Sequence, residues 1–328
     1  MKILPKDFKI GPRTVKTVIA ASLAIIIANT LQLEYATAAG IIAILSVGNT
    51  KKSTYQSGKN RLLNFSAAMI ISVVLFSILG HHVLVFGLFL LIFIPYSAAC
   101  GMSEGIAPNA VLVTHLLIAS QITPQLLLNE FLLNFIAISL AFIVNLKMPN
   151  FQEELSEREK RVEHHFRDLF KRLSFIMNKQ SEQAHFLHKV EDLEQYISES
   201  LALSRTHMDN RFGDGDAGAS YDYFAMRATQ VEIFHEIAEI LLQIEVTVQK
   251  DQLIGLNQLF KAIGKSYAKD NDAKALMQQV KETLDIYRTS DLPKTREEFE
   301  ARARLFQILQ LIQTFIQIKR DYVLESET

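Results

Sequence analysis

The chain has 328 residues, with 34 Lys/Arg, 35 Asp/Glu, a formal charge of -1, 49% hydrophobic residues and one cysteine. A lone cysteine excludes an intramolecular disulfide and a thiolate zinc site, and no basic patch with interleaved aromatics is present to meet nucleic acid. The near-zero sum conceals a division: residues 1–146 hold nine Lys/Arg and four Asp/Glu, whereas residues 147–328 hold 25 and 31.

The N-terminal stretch is basic (Lys2, Lys6, Lys9, Arg13, Lys16) and runs into an apolar segment from Val15 to Leu33, followed by Ala36-Thr37-Ala38. That order resembles a cleavable signal peptide, but the apolar run is longer than an h-region and further apolar runs follow, so it reads as an uncleaved first helix. A second, shorter run covers Ala36 to Gly48, and a basic loop carrying Lys51, Lys52, Lys59 and Arg61 comes next. From Leu62 to Leu146 there are only two charged side chains, Glu104 and Glu130, in 85 residues. A soluble domain has roughly one charged residue in four; this stretch is composed for lipid. It divides into spans at Leu62 to Gly80, Val83 to Ala99, Ile106 to Ser120 and Gln125 to Leu146.

Six spans return both ends of the domain to one side of the bilayer. Every Lys/Arg before residue 147 lies in the N-terminal segment or between Lys51 and Arg61, as the positive-inside rule requires if both termini are cytoplasmic. The second and fifth spans are short, about 20 to 23 Å against a hydrocarbon core of roughly 30 Å. They contain Gly40 and Gly48, and Gly105, Pro108 and Asn109. They hold corresponding positions in two halves of three spans, and an odd number per half makes the halves inverted. Short or interrupted helices in that arrangement mark a transport site. Glu34 and Glu104 each precede one of the short runs, where they serve either as helix N-terminal caps or as functional carboxylates.

Polar side chains inside lipid are costly and face a bundle interior or cavity. Glu130 lies about 9 Å inside the last span, where desolvation penalises its ionised form and makes it the first candidate to carry a proton; snorkelling to the interface is the alternative. His115 falls near mid-bilayer, as a titrating group or as helix-packing glue. Asn109, Asn29, Asn64, Asn129, Asn134, Tyr96 and Thr114 complete the inventory. No Lys or Arg is expected deep in the membrane, so an anion would be held by helix N-termini near Ala36 and Ile106, by Asn109, or at the cytoplasmic mouth by Lys51, Lys52, Lys59 and Arg61. The positive-inside rule alone also accounts for that basic loop.

After Met148-Pro149-Asn150 the pattern becomes that of soluble amphipathic helices. Apolar stripes run through Leu155, Val162, Phe166, Leu169, Leu173 and Ile176; through Phe186, Val190, Leu193, Ile197 and Leu201; through Phe224, Val231, Phe234, Ile237, Leu241, Ile244 and Val248; and through Phe299, Phe306, Leu309, Ile312, Ile316 and Val323. Shorter helices are expected over Leu253 to Tyr267 and Ala273 to Tyr287, with a break at Asp291-Leu292-Pro293. The expected fold is all-α: a six-span membrane domain over residues 1–148 and a cytosolic antiparallel helical bundle over residues 149–328.

Chemical motifs in the tail are weak. His164-His165, His185 with His188, and His235-Glu236 with Glu239 have metal-like spacings without an HExxH pattern, and solvated surface is the favoured reading. Asp214-Gly215-Asp216-Ala217-Gly218 starts like a calcium loop but lacks its third oxygen ligand and closing glutamate, so a connector is favoured. No nucleophile-base constellation, Walker motif or dinucleotide fingerprint occurs; no enzyme activity, metal or cofactor is expected.

Three stretches, IGPRTVKTVIAASLAIIIANTLQLEYATAAGIIAILSVGNTKKS, VFGLFLLIFIPYSAACGMSEGIAPNAVLVTHLL and NEFLLNFIAISLAFIVNLKMPN, resemble the membrane domain of the bacterial aromatic acid exporter family, related to fusaric acid resistance proteins. The segments that carry the resemblance are Ala36 to Gly40, Asn49 to Ser53 and Ser103 to Leu117, and YDYFAMRATQVEIF is similar to the soluble C-terminal domain of one branch. The resemblance implies proton-driven efflux of small, often aromatic, carboxylic acids from the cell membrane. Half the span number of larger relatives implies a homodimer. In that reading Glu130 exchanges protons with the outer side, while Gly40, Asn109 and His115 lie near substrate, with Glu34, Glu104 and Tyr96 as further pathway candidates. The alternative is a membrane-anchored scaffold or regulator whose helical tail binds a cytosolic partner of unknown identity.

Overall fold

A computed structural model describes residues 11–176, 183–212, 214–244, 250–266 and 273–326. Lys2, Lys6, Lys9, Val248 and Tyr267 lie outside the described residues. Among the described residues all regular structure is helical. Backbone contacts separate two units: Met1–Pro149 with Asp209–Phe212, and Asn150–Met208 with Gly213–Thr328.

The first unit contains α1 (Pro12–Thr30), α2 (Ala36–Ser46), α3 (Lys51–Leu79), α4 (Val83–Ala99), a 3₁₀ turn at Ser103–Gly105, α5 (Ile106–Ile118) and α6 (Pro124–Asn145). By length and composition α1, α3 and α6 can each cross a membrane, and α2 and α4 are shorter apolar helices. Helix ends follow local chemistry. Pro12 opens α1, where a missing N–H costs nothing. Thr50 and Ser53 form a reciprocal capping box on α3, and Thr123 caps α6 through the Leu126 N–H. Lys51, Lys52, Lys59 and Arg61, expected in a loop, are therefore the first turns of a 29-residue helix.

Small residues let α1 and α2 approach closely. Ala20, Ala24 and Ala28 recur at i, i+4 on the buried face of α1, and Ala36, Ala39, Gly40 and Ala43 face inward on α2. A Cβ placed on Gly40 would lie 2.6 Å from Ile25 Cδ1, so glycine is required by the contact. Gly58 similarly admits Ile138, whose Cγ2 would stand 2.8 Å from an added Cβ, between α3 and α6. The short helices α2 and α5 pack on one another, with α6 against α1, α2 and α3. Outward positions such as Val18, Ile26, Ile70, Ile78, Leu84 and Leu91 are exposed and apolar, as a lipid-facing surface demands.

The second unit contains α7 (Gln152–Ile176), α8 (Gln183–Asn210), a 3₁₀ turn at Gly215–Gly218, α9 (Ala219–Leu242), α10 (Lys250–Ser266), α11 (Lys274–Thr289) and α12 (Arg296–Ser326). Its core is organised around edge-to-face phenylalanines, with ring centroids 4.9 Å apart for Phe170–Phe234 and 5.3 Å for Phe170–Phe315. A buried polar bolt crosses it: the Arg227 guanidinium pairs with Glu163, Tyr223 donates to the same carboxylate at 2.7 Å, and Gln230 donates to the Phe315 carbonyl at 2.7 Å. The α12 stripe needs correction at Phe299, which is 60% exposed. The buried seam runs through Ala301, Leu305, Ile308, Ile312 and Phe315, and a residue two positions before it projects to about the opposite side of the helix.

Candidate functional site

His115 lies three residues before the last residue of α5, and Glu130 six residues after the first of α6. Across the intervening turn the two side chains meet, with His115 Nδ1 2.7 Å from Glu130 Oε2. Both are buried, Glu130 completely and His115 at 7% exposure. The sequence reading set His115 near mid-bilayer and Glu130 about 9 Å inside the last span; the contact puts them at one level, because α5 ends at Ile118 and carries His115 in its last turn.

Asn129 holds the second carboxylate oxygen and ties it to the α1–α2 connection. Its Nδ2 donates to Glu130 Oε1 and to the Glu34 carbonyl, both at 3.1 Å, while its Oδ1 accepts the Glu34 N–H at 2.9 Å. Glu34 thus contributes its backbone, and its side chain is exposed. The next residue, Tyr35, lays its ring on His115, with centroids 4.0 Å apart and planes 8° from parallel. To do so it adopts left-handed geometry, φ 57° and ψ 35°, and Gln32 in the same connection has φ 55°. Each such non-glycine conformation costs on the order of 1 kcal/mol, which the stack and the Asn129 clip hold in place. A polar cleft of about 430 Å³, bounded by Gln32, Glu34, Tyr35, Gln121, Thr123 and Asn129, opens directly over the pair.

One hydrogen is shared between imidazole and carboxylate. An imidazole–carboxylate pair can take up one proton and become imidazolium with carboxylate or imidazole with carboxylic acid, so a proton entering from the cleft has an acceptor behind Tyr35 and Asn129.

A second polar cluster surrounds α5 at its other end. Arg61, expected at an exposed mouth, is 4% exposed. Its guanidinium hydrogen-bonds the carbonyls of Ile42 and Leu45 and the Ser46 hydroxyl at the end of α2. Two effects favour that burial: α2 leaves its last carbonyls without helical partners, and its dipole presents negative charge there. The Arg61 carbonyl accepts from Asn109 Nδ2 at 3.2 Å, and Asn134 Nδ2 reaches Asn109 Oδ1 at 3.4 Å. Asn64 accepts from Ser97 at 3.0 Å and donates to the Met102 carbonyl at 3.3 Å, satisfying the non-helical segment before α5. A further knot ties α1, the α2–α3 turn and α6. Asn145 donates to Thr54 Oγ1 at 2.6 Å and to the Gly48 carbonyl at 2.9 Å, while Lys16 reaches the Lys147 carbonyl at 2.7 Å.

The candidate residues divide accordingly. His115 and Glu130 meet, and Asn109 belongs to the Arg61 cluster. Gly40 is a packing position against Ile25. Glu104 is exposed on the 3₁₀ turn, no side-chain cap forms at the start of α2 or α5, and Tyr96 is 42% exposed on α4. Sequence reasoning did not single out Tyr35 or Arg61 for these contacts. In the second unit, His235 stands between Glu194 and Glu239, at 3.4 and 3.7 Å, and no group of three or more His, Cys, Asp or Glu suited to a metal occurs among the described residues.

A charge-poor helical unit with an apolar exterior and polar side chains turned inward defines a membrane protein. Comparison with known families makes the class specific. Residues 8–148 match "Aromatic acid exporter family member 1" and residues 152–320 match "Putative aromatic acid exporter C-terminal domain"; the chain belongs to the aromatic acid exporter family. It is 32% identical over 315 residues to the protein YqjA of Bacillus subtilis (strain 168), covering 95% of this chain and 96% of that one. A solved structure of a "putative membrane protein" from Clostridium difficile 630 is similar over 52% of this chain and 99% of that chain, at 18% identity and a TM-score of 0.45.

Proposed function

We propose that the protein exports small aromatic carboxylic acids across the cell membrane in exchange for protons. The carrying observation is the buried His115–Glu130 pair at 2.7 Å, immediately behind a polar cleft. Proton uptake from the cleft charges or neutralises the pair, alters its bond to Asn129 and thereby bears on the α1–α2 connection, the link through which coupling acts. The short helices α2 and α5, packed on each other, support a transport path between the two halves. The distribution of Lys/Arg supports six crossings with both termini cytoplasmic, the second unit in the cytosol and the cleft outward. The working form is a homodimer, since six helices supply half the framework of larger relatives.

The test is uptake of benzoate into proteoliposomes under an imposed pH gradient. Flux should require the gradient and collapse in Glu130→Gln. Gradient-dependent flux at the wild-type rate in that variant overturns the role of Glu130, and absence of flux for every aromatic acid in a panel overturns the activity.

A further inference from the structure

The second unit contains a feature that transport does not use. Between α7 and α8 lies a cleft of about 510 Å³, within the range of small-molecule sites. Its floor is Leu169 and Leu193, and its walls include the rings of His165 and Tyr196, which meet nearly edge to face at 6.1 Å. Burial holds the His165 imidazole below the usual histidine range, so at neutral pH the ring is an uncharged aromatic surface. The Tyr196 hydroxyl is buried and makes no hydrogen bond among the described residues.

Charge decides the ligand. Asp168 is paired with His164 at 3.1 Å and Asp192 with His188 at 3.3 Å. Arg172 and Lys189 line the same cleft and have no ion pair among the described residues. Each aspartate has a histidine contact one turn along its own helix, so the charged lining groups without such a contact are the two cations, beside two rings and an apolar floor. An anion can engage Arg172 and Lys189 without disturbing either aspartate's contact.

We propose that the α7–α8 cleft binds a small aromatic carboxylate, its ring against His165 and Tyr196 over Leu169 and Leu193, and its carboxylate held by Arg172 and Lys189. The assignment of the ligand rests on the lining alone; taken with the proposed transport activity, it makes the second unit a sensor of molecules chemically like the cargo.

The experiment is hydrogen exchange by mass spectrometry on the full-length protein in nanodiscs, with 1-naphthoate and the uncharged 1-naphthalenemethanol as probes. The acid should slow exchange in peptides from α7 and α8, and the alcohol should not. In the Arg172→Gln/Lys189→Gln double variant, half-maximal protection should require about tenfold more acid, the loss expected on removing charge-assisted hydrogen bonds. Arg172 is exposed and Lys189 half-buried, and an unchanged exchange pattern without ligand verifies that the double variant folds. No protection by the acid, equal protection by the alcohol, or protection retained in full by the double variant overturns the proposal. The readout is local to α7 and α8 and needs no flux, so its failure is separate from a failure of transport.

Discussion

The ring of Tyr35 lies flat on the ring of His115, centroids 4.0 Å apart, and closes the space between the polar cleft and the His115–Glu130 pair. A stacked aromatic pair is worth about 0.5–1.5 kcal/mol beyond its burial, enough to set how often the pair meets water. Tyr35→Phe keeps the ring and should retain gradient-driven flux. Tyr35→Ala should reduce coupled flux by up to about tenfold while raising proton leak without substrate. Parallel measurement of acid flux and internal pH in proteoliposomes distinguishes these outcomes, and equal behaviour of the two variants would show that the Tyr35 ring does not shield the His115–Glu130 pair.

Arg61 makes a prediction opposite to the one its sequence neighbourhood invites. As a loop cation obeying a topological rule it would tolerate Arg61→Lys, whereas its three acceptors at the end of α2 require the forked guanidinium. Arg61→Lys should lower stability by about 1–3 kcal/mol, the cost of leaving buried acceptors unpaired. The reverse substitution at exposed Lys59, Lys59→Arg, should change little. Thermal unfolding in one detergent compares them directly.

How much of this was legible in the sequence depended on the kind of information required. Hydropathy separated the charge-poor unit from the charged one, and the short helices α2 and α5 followed from where apolar runs stopped. Glu130 and His115 were individually conspicuous because lipid makes polar groups rare. Their bond was harder to see, because pairing depends on where α5 ends, and helix boundaries are local capping events that hydropathy blurs by a few residues. Arg61 was misplaced for the related reason that Thr50 and Ser53 start α3 eleven residues before the apolar run begins at Leu62. Tyr35 was invisible: its contact needs a left-handed backbone that nothing in its residue type announces. Phe299 shows that a stripe drawn by apolarity alone drifts off the buried face near a helix start.

Gly40 was expected near substrate, and its neighbours give it a packing role. An added methyl would stand 2.6 Å from Ile25 Cδ1 and 2.7 Å from Cγ1, so Gly40→Ala must push Ile25 aside at a cost of about 1–3 kcal/mol. Ile25→Ala, which opens that space, should recover much of the loss when combined with Gly40→Ala. A double-mutant cycle on unfolding in detergent measures the coupling. Strict additivity would mean the methyl is accommodated elsewhere.

Arg227 in the second unit is completely buried, with its guanidinium on Glu163, which also accepts from Tyr223. Removing one member of such a pair leaves the other's charge uncompensated, a cost of about 3–5 kcal/mol. Arg227→Met should therefore destabilise strongly by stranding the Glu163 carboxylate. Adding Glu163→Gln should restore part of the loss, because the neutral amide still accepts from Tyr223 and leaves no buried charge. The measurement is thermal unfolding of the full chain for both single variants and the double. A double variant no more stable than Arg227→Met would show that Arg227 acts chiefly through its contacts with the rings of Tyr223 and Phe166, 5.0 and 5.8 Å from the guanidinium carbon, and not through its charge.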